Sequence, residues 1–396
     1  MKNSLNIQLY GLFNVIQSLD FLAPIRIVYF QHVTNSYSQA ASLISIVWIA
    51  SAIFEVPTGI FSDFIGRKKT IIIGALCMCL AYILYVLGIN FWILAIGAVF
   101  QGMARAFFSG NNNAYLYNSL EKDGREKEYQ NYYGKISSFL SASCFIAALL
   151  SGVIAGWSFE LMIWLSFVFQ LISLIVAMIL PEVFVKKPET TNIFIHLKEA
   201  IIEIKKNINL RYLSLSGIFI GAGDAAYEFH AAVFVAVWPL WAIGIARAFQ
   251  ELTLTISYYF SEKIIKRLGG AINTCVFQNI FSWVGSILAV VTRSVISPLF
   301  IISGFIFLGP SDTASQSLYQ KEFTERQRAT IASLNSLGAS IYFTFVMIIA
   351  GFMANNYNPF IGLLVTQIFY LPAIYYRLKL FAHIHKTKHY NNTQLV

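Results

Sequence analysis

The sequence predicts an all-α membrane protein with twelve transmembrane helices, arranged as two six-helix pseudo-repeats. The 396 residues are 57% hydrophobic and only 12% charged, with a mean hydropathy of +0.64, which lies outside the range of soluble globular proteins. Apolar runs of about 20 residues, each long enough to cross a hydrocarbon core, recur along the chain. Similar polar patterns recur about 200 residues apart, which is the mark of a duplicated helical bundle.

The predicted spans are numbered 1 to 12 in chain order. They cover 7–31, 39–62, 70–90, 92–118, 132–157, 159–181, 211–236, 239–262, 271–291, 295–319, 328–353 and 358–380. We therefore expect an N-terminal six-helix bundle over 1–181 and a cytoplasmic central loop over 182–210. A C-terminal six-helix bundle with a cytoplasmic tail follows over 211–396.

The central loop carries an amphipathic pattern. Phe194, Leu197, Ile201, Ile204 and Ile208 follow a three-four spacing, which predicts a helix lying on the inner membrane surface. A plain tether between the two bundles is the alternative.

Charge predicts the orientation of the chain. Lysines and arginines cluster in the loops after spans 2, 4, 8 and 10, so both termini are expected in the cytoplasm. Trp92, Trp157, Trp238 and Trp241 then fall at the outer boundary, as an aromatic belt requires. A multi-pass protein of the cytoplasmic (inner) membrane follows. Its net charge of +9 suits anionic membrane lipids, and no nucleic-acid partner is expected.

Motifs typical of enzymes are missing from the sequence. It contains neither a phosphate-binding G-x-x-x-x-G-K-[ST] loop nor an H-E-x-x-H motif. Cys77, Cys79, Cys144 and Cys275 lie in apolar runs, which predicts neither a disulfide framework nor a metal site. We expect no enzymatic activity and no cofactor.

A polar loop interrupts the apolar runs from Glu55 to Thr70, which read EVPTGIFSDFIGRKKT. Its pattern G-x-x-x-D-x-x-G-R-K-K is formed by Gly59, Asp63, Gly66, Arg67, Lys68 and Lys69. This loop resembles the one between the second and third helices of the major facilitator superfamily of secondary transporters. A weaker copy follows span 8, with Gly269 in the place of Gly66. The stretches SGNNNAYLYNSLEKD and ERQRATIASLNSL resemble the bacterial exporter branch.

The resemblance implies alternating access, with helices 1, 4, 7 and 10 around a central cavity. It also implies that Asp63 and Arg67 form a conformational latch, with Asp63 near the positive N-terminal end of helix 11, around Arg328 and Ala329. The loop's two glycines, Gly59 and Gly66, would allow close backbone approach. For Lys68 and Lys69 we favour the alternative that they only fix topology.

Span 5 departs from the pattern of drug–proton antiporters in that superfamily. Those proteins usually carry a Gly-Pro pair in this helix, whereas SGVIAG at 151–156 has no proline. Gly152 and Gly156 still form a small-xxx-small surface that predicts close helix packing.

Three ionisable residues fall near the middle of spans that would line the cavity: Asp20 in span 1, Arg105 in span 4 and Asp224 in span 7. A charge at the bilayer centre is costly and needs a partner or a function. We predict that Asp20 and Asp224, separated by nearly the repeat length, are substrate-binding or proton-coupling carboxylates. Arg105 would be the counter-charge of Asp20. A static Asp20–Arg105 pair that only holds two helices together is the alternative.

Further charges lie in the predicted outer half of the membrane. Glu228 follows Asp224 by four residues and shares its helix face. Arg247 and Glu251 have the same spacing in span 8, and a pair between Glu228 and Arg247 is expected. Arg26 is expected either to extend its charged end to the membrane surface or to bind an anionic substrate group. We interpret His230 as a structural histidine rather than a proton relay.

These observations predict a secondary active transporter driven by an ion gradient. We expect proton-coupled efflux of a drug or small metabolite, siderophore-like molecules included. Asn113 and Asn118 replace the acidic residues usual in the exporter branch, which disfavours cationic drugs. The alternatives are an uptake permease for a nutrient or organic anion, and a transporter-like sensor or lipid-handling protein. The expected partners are a small-molecule substrate and membrane lipids, and the protein is expected to be a monomer.

Overall fold

The computed structural model describes residues 2–109, 111–122, 124–125, 128–182, 201–322 and 328–393. These residues form helices joined by short turns, and no strand occurs among them. The first helices are α1 (Lys2–Gln17), α2 (Arg26–Thr34), α3 (Tyr37–Ile65), α4 (Arg67–Leu87), α5 (Phe91–Phe108), α6 (Asn111–Lys122), α7 (Tyr129–Trp157) and α8 (Phe159–Ile179). The later helices are α9 (Ile208–Phe219), α10 (Gly221–Val235), α11 (Leu240–Tyr259), α12 (Ser261–Arg267), α13 (Ala271–Thr292), α14 (Ser297–Ser303), α15 (Leu308–Glu322), α16 (Arg328–Asn356) and α17 (Pro359–Thr393).

The length and hydropathy of these helices make this a multi-pass membrane protein. Within the described ranges, nine helical stretches are long and apolar enough to cross a bilayer. They correspond to all predicted spans except 1, 8 and 10. Spans 1 and 10 are broken into shorter helices, and span 8 carries Arg247 and Glu251. The count of twelve transmembrane helices therefore stays a prediction.

Span 1 is not the continuous helix that the sequence predicts. α1 ends at Gln17, a 3-10 turn covers Ala23–Ile25, and α2 begins at Arg26. Pro24 lies in that turn and has no N–H to donate. Apolar composition predicted a span here, but proline and the preceding aspartate divide it into two helices.

Two other predicted spans are also interrupted. Span 7 is divided at Ile220 into α9 and α10. Span 10 consists of α14, a 3-10 segment Gly304–Phe307 and α15. At the other extreme, α17 continues well beyond predicted span 12, through the tail to Thr393.

Several helices begin at a side chain that caps them. Ser36 accepts from the backbone N–H of Gln39 at 3.3 Å before α3, and Ser158 accepts from Leu161 at 3.1 Å before α8. Asn90 does the same for α5. Such caps satisfy N–H groups that have no partner within the helix, so these starts follow directly from the sequence.

The central loop is described only at its end. Residues 183–200, which include Phe194 and Leu197 of the predicted amphipathic helix, lie outside the described residues. Residues 201–206 are helical, and Ile204 packs against Leu210 and Ile331. The placement of the helix on the membrane surface stays a prediction.

The chain divides into two compact units. The first contains Met1–Glu189 and Trp238–Glu251, and the second contains Thr190–Val237 and Leu252–Val396. The sequence assigned Trp238–Glu251 to the C-terminal bundle, whereas the structure groups this stretch with the N-terminal helices. The packing of α11 on α7 explains the difference.

Each unit has its own apolar core. In the first unit, Phe13 of α1, Ile71 of α4 and Tyr115 of α6 belong to one buried cluster. In the second unit, Leu213 of α9 and Leu380 of α17 are buried with Ile272 of α13. These cores fix the helices on which the charged residues lie.

A seam between α7 and α11 brings two glycines into contact. A Cβ atom on Gly152 would lie 2.7 Å from the backbone nitrogen of Gly244, and one on Gly244 would lie 2.6 Å from the Ala148 carbonyl oxygen. Only glycine permits this approach. Around Gly156 the space is open, so Gly152 forms the close contact and Gly156 does not. Gly244, which completes the contact, was not singled out from the sequence.

The motif glycine has a backbone conformation that requires glycine. Gly66, between α3 and α4, has φ +94° and ψ 153°. Gly270, at the start of α13, has φ +115° and ψ 177°. Both lie in a region that side chains essentially exclude. The structural equivalent of Gly66 in the weaker copy is therefore Gly270, and not Gly269 as the sequence suggested.

Replacing Gly66 by alanine should destabilise the protein by about 1–3 kcal/mol, because the side chain strains the backbone. The apparent melting temperature of the purified protein in detergent measures this. Gly134→Ala is the matched control, since Gly134 lies in α7 with nothing within 4 Å of its Cβ position. It should melt at or above the wild-type temperature. Equal melting of the two variants would contradict the assignment.

Gly152→Ala should also lower the melting temperature, since the new methyl group pushes α11 away from α7 at a cost of about 1–3 kcal/mol. Gly156→Ala, one turn further along α7, should leave the melting temperature close to that of the wild type. If both variants melt alike, the seam is not the tight contact described.

Candidate functional site

The break in span 1 places a carboxylate inside the first unit. Asp20 Oδ1 accepts hydrogen bonds from the backbone N–H of Leu22 at 3.0 Å and of Ala23 at 3.1 Å. These N–H groups begin the next helical turn and have no helical partners of their own. Asp20 therefore caps the turn that contains Pro24, and the local sequence Asp-Phe-Leu-Ala-Pro explains why the helix stops here.

Two arginines bear on the predicted counter-charge of Asp20. The charge of Arg26, at the start of α2, acts on Asp20. The guanidinium of Arg105 lies 4.6 Å from the ring centroid of Trp48, in a cation–π arrangement. The pairing of Asp20 with Arg105 stays a prediction, and Arg26 joins Arg105 as a candidate counter-charge.

Tyr82 of α4 is a neighbour that sequence reasoning missed. Its side chain is fully buried, and its hydroxyl interacts electrostatically with Asp20. A buried tyrosine hydroxyl beside a carboxylate can donate to it, so Tyr82 belongs to the surroundings of Asp20.

A second carboxylate belongs to the same cluster. The thiol of Cys144 on α7 interacts electrostatically with both Glu251 and Asp20. Cys144 lies two helical turns from Gly152, and Glu251 lies two turns from Gly244, so both follow the α7–α11 seam. We name the set formed by Asp20, Arg26, Tyr82, Cys144, Arg247 and Glu251 the Asp20 cluster.

Arg247 completes this cluster from α11. It is 2% exposed, and its Nε donates to the Pro24 carbonyl oxygen at 3.0 Å. Its Nη1 donates to Gln250 Oε1 at 3.1 Å. The sequence predicted a pair with Glu228, which lies buried in the second unit. That pair stays a prediction.

The remaining candidates lie on α10 in the second unit. Asp224 and Arg377 both interact electrostatically with Tyr370, whose ring would contact a Cβ on Gly223 at 3.1 Å. His230 is surrounded by aromatic rings, with Tyr227 at 6.0 Å and Phe305 at 6.1 Å between centroids. This setting agrees with the interpretation of His230 as a structural residue.

Arg377 is a buried charge that sequence reasoning did not select. Its Nε donates to Ser216 Oγ and its Nη2 to Ser315 Oγ, both at 2.8 Å. The guanidinium thus ties α17 to α9 and α15. The guanidinium side chain is 2% exposed.

The motif loop is described only in part. Arg67 Nη1 donates to Ser62 Oγ at 2.8 Å, and a Cβ on Gly66 would lie 2.5 Å from a Glu182 carboxylate oxygen. Gly59 lies within α3. The side chains of Asp63, Arg328 and Ala329 lie outside the described residues. The latch predicted for Asp63 and Arg67, with Gly59, Gly66 and Lys68 in the same loop, stays a prediction.

Comparison with known proteins agrees with this architecture. "Multidrug resistance protein 2" of Bacillus subtilis (strain 168) is 23% identical over 381 residues, which cover 91% of this chain and 93% of that protein. Among solved structures, nucleoside transporter NupG superposes with a TM-score of 0.75 at 14% identity and covers 96% of this chain and 99% of its own. The POT family transporter PepTSo gives a TM-score of 0.75 at 12% identity, covering 97% and 98%.

The likeness to the solved structures identifies the fold of a membrane transporter, since both superpose over nearly the whole chain. The sequence profile described as Major Facilitator Superfamily matches residues 9–347. The chain therefore belongs to the major facilitator superfamily, and it is a transporter rather than an enzyme.

Proposed function

We propose that this transporter exports a drug or small metabolite, siderophore-like molecules included, in exchange for protons. The observation that supports the proposal most strongly is the Asp20 carboxylate in the broken first span, with a second acid and two arginines around it. Ionisable groups inside a membrane domain mark ion or substrate pathways. The likeness to a protein named for multidrug resistance gives weaker support to export.

The chemistry of the Asp20 cluster suits proton exchange. The proton affinity of a carboxylate depends on its solvation, its hydrogen bonds and the charges around it. Asp20 is bound by two amides and influenced by Arg26. When the helices that carry these groups move, the carboxylate changes its environment and with it its affinity for a proton. A substrate that competes for the same groups is then coupled to proton binding.

Glu251 gives the site a second carboxylate on another helix. Asp20 and Glu251 both act electrostatically on the thiol of Cys144, so acids from two different helices lie around this thiol. The fixed charges of Arg26 and Arg247 balance the cluster when both acids are ionised.

The positive loops predict that both termini are cytoplasmic, and we propose the cytoplasmic membrane as the location. The ion gradient is the energy source in this proposal, with no cofactor, and the transporter acts as a monomer. Asp224 is the proposed counterpart of Asp20 in the second unit, where Tyr370 is its neighbour.

Uptake of an organic anion is the second candidate. The observation that favours it is the burial of two arginines, Arg26 at 8% and Arg247 at 2% exposure, because a buried guanidinium binds carboxylate or phosphate well. In this alternative the substrate replaces a proton as the partner of the cluster.

Replacing Asp20 by Asn should abolish the response of transport to a pH gradient, because Asn keeps the shape of the side chain but binds no proton. In inverted vesicles with an acidic lumen, uncharged dyes such as Nile red should accumulate with the wild type. The initial rate should fall by about tenfold or more in the Asp20→Asn variant.

Glu160→Gln is the matched control, since Glu160 is exposed in the first turn of α8. It should accumulate the dyes at the wild-type rate. Gradient-driven accumulation that persists in Asp20→Asn would remove Asp20 from coupling. Uptake of p-aminohippurate by right-side-out vesicles, without dye export in inverted ones, would favour the anion permease.

A further inference from the structure

The turn that contains Asp20 is held from two sides. Within the chain, Asp20 Oδ1 binds the amides of Leu22 and Ala23. From α11, 223 residues away, Arg247 Nε binds the carbonyl oxygen of Pro24 at 3.0 Å. These three backbone groups belong to consecutive residues. A change in the hydrogen bonds of Asp20 therefore shifts the Pro24 carbonyl oxygen to which Arg247 is bonded.

Arg247 is oriented with little freedom. Its side chain is 2% exposed, and its Nη1 is bonded to Gln250, which is fully buried. Gly244 lies three residues earlier on the same helix face, and its contact with α7 brings α11 close enough for Arg247 to reach the turn. The seam glycines and the arginine thus form one attachment between α11 and the first unit's broken span.

The donor to the Pro24 carbonyl oxygen is a charged guanidinium. Burying a charge costs more than burying a neutral donor, so an arginine at this position favours a role for its charge as well as for its hydrogen bond. Glu251 lies one turn beyond Arg247 on α11.

Titratable and charged groups around the turn come from several helices. Arg26 of α2, Tyr82 and Tyr85 of α4 and Cys144 of α7 interact with Asp20. From α11, Arg247 binds the turn at Pro24 and Glu251 acts on Cys144. α8 contributes the hydroxyl of Ser166, which accepts from the Phe21 amide at 3.1 Å and does not titrate. Arg247 differs from the others because it binds the turn's backbone from a helix distant in sequence.

We infer that Arg247 is a positioning residue, which ties α11 to the Asp20 turn and releases α11 when the turn loses its Asp20 cap. While Asp20 caps the turn, the Pro24 carbonyl points to Arg247. When Asp20 no longer accepts from the two amides, the turn loosens and the carbonyl leaves the guanidinium. The tie transmits to α11 whether the Asp20 side chain still caps the turn, and it rests on the proposed function only in that Asp20 is also the proposed coupling carboxylate.

Cys144 is a natural reporter of this tie. It lies beside Asp20 and Glu251 on the seam face of α7 and is partly accessible, whereas Cys77, Cys79 and Cys275 are buried. Detachment of α11 exposes the Cys144 thiol. The full-length purified protein is treated with N-ethylmaleimide at one fixed pH, and mass spectrometry of the Cys144 peptide gives the rate of alkylation.

We expect Arg247→Met to raise the alkylation rate about fivefold or more, since local opening exposes the thiol. Arg247→Lys keeps a charged donor and should stay near the wild-type rate. Asp20→Ala should raise the rate as Arg247→Met does. Asp20→Asn should not, because an asparagine oxygen also caps a helical turn. The double variant Asp20→Ala/Arg247→Met should react no faster than the faster single variant, because both substitutions break the same tie between α11 and the turn.

Arg293→Met is the matched control, since Arg293 is exposed at the end of α13 and donates to the carbonyl oxygen of Val290. Its Cys144 rate should equal that of the wild type. Wild-type alkylation in Arg247→Met, or additive increases in the double variant, would overturn the inference. If Arg247→Met gives no folded protein, the Asp20→Ala variant tests the inference by itself. A Cys144 alkylation rate equal to that of the wild type in Asp20→Ala would then overturn the inference.

The alkylation experiment contains neither substrate nor gradient. Its result therefore tests the tie separately from the proposed transport function. Loss of coupling in Asp20→Asn with unchanged alkylation in Arg247→Met would support proton coupling and reject the tie. Persisting coupling in Asp20→Asn with raised alkylation in Arg247→Met would support the tie and reject the role of Asp20 in transport.

Discussion

Inside a bilayer, a backbone N–H or C=O group without a partner costs several kcal/mol. The first span of this protein interrupts its helix between Gln17 and Arg26, so its freed groups need partners from side chains. Asp20 supplies two of them and Arg247 a third. Because the backbone groups of this turn need hydrogen-bond partners, the charged side chains of Asp20 and Arg247 both lie against it. The contact between α7 and α11 is linked to this arrangement.

One such feature is the seam between α7 and α11. Arg247 reaches Pro24 only because Gly152 and Gly244 let the two helices touch at their backbones. The same contact places Glu251 near Cys144 and thus in the vicinity of Asp20. A structural contact between glycines therefore determines which charges share one electrostatic environment.

The sequence was sufficient for the helical class, for most helix bounds and for the selection of Asp20, Arg26, Arg247 and Glu251, because charges in apolar runs are conspicuous. It could not show that these four lie together, since that depends on a contact between residues more than two hundred positions apart. The break in span 1 was visible in principle from Asp20 and Pro24. A count of apolar residues alone concealed it.

Other features gave no signal in the sequence. Tyr82 and Cys144 resemble ordinary residues of apolar helices, and only packing shows them facing Asp20. The contact of Arg105 with the ring of Trp48 and the action of Arg26 on Asp20 also depend on packing that the sequence does not show. The hydrogen bonds of the buried Arg377 to two serine hydroxyls likewise depend on the packing of three helices.

Proton release on substrate binding tests the central role of Asp20 most directly. A dye that the wild type transports is added to purified protein in weakly buffered detergent solution, and the pH change is recorded. If Asp20 exchanges a proton for substrate, the wild type releases up to about one proton per bound dye molecule, as linkage requires, and the Asp20→Asn variant releases none. Equal release by both proteins would contradict the account.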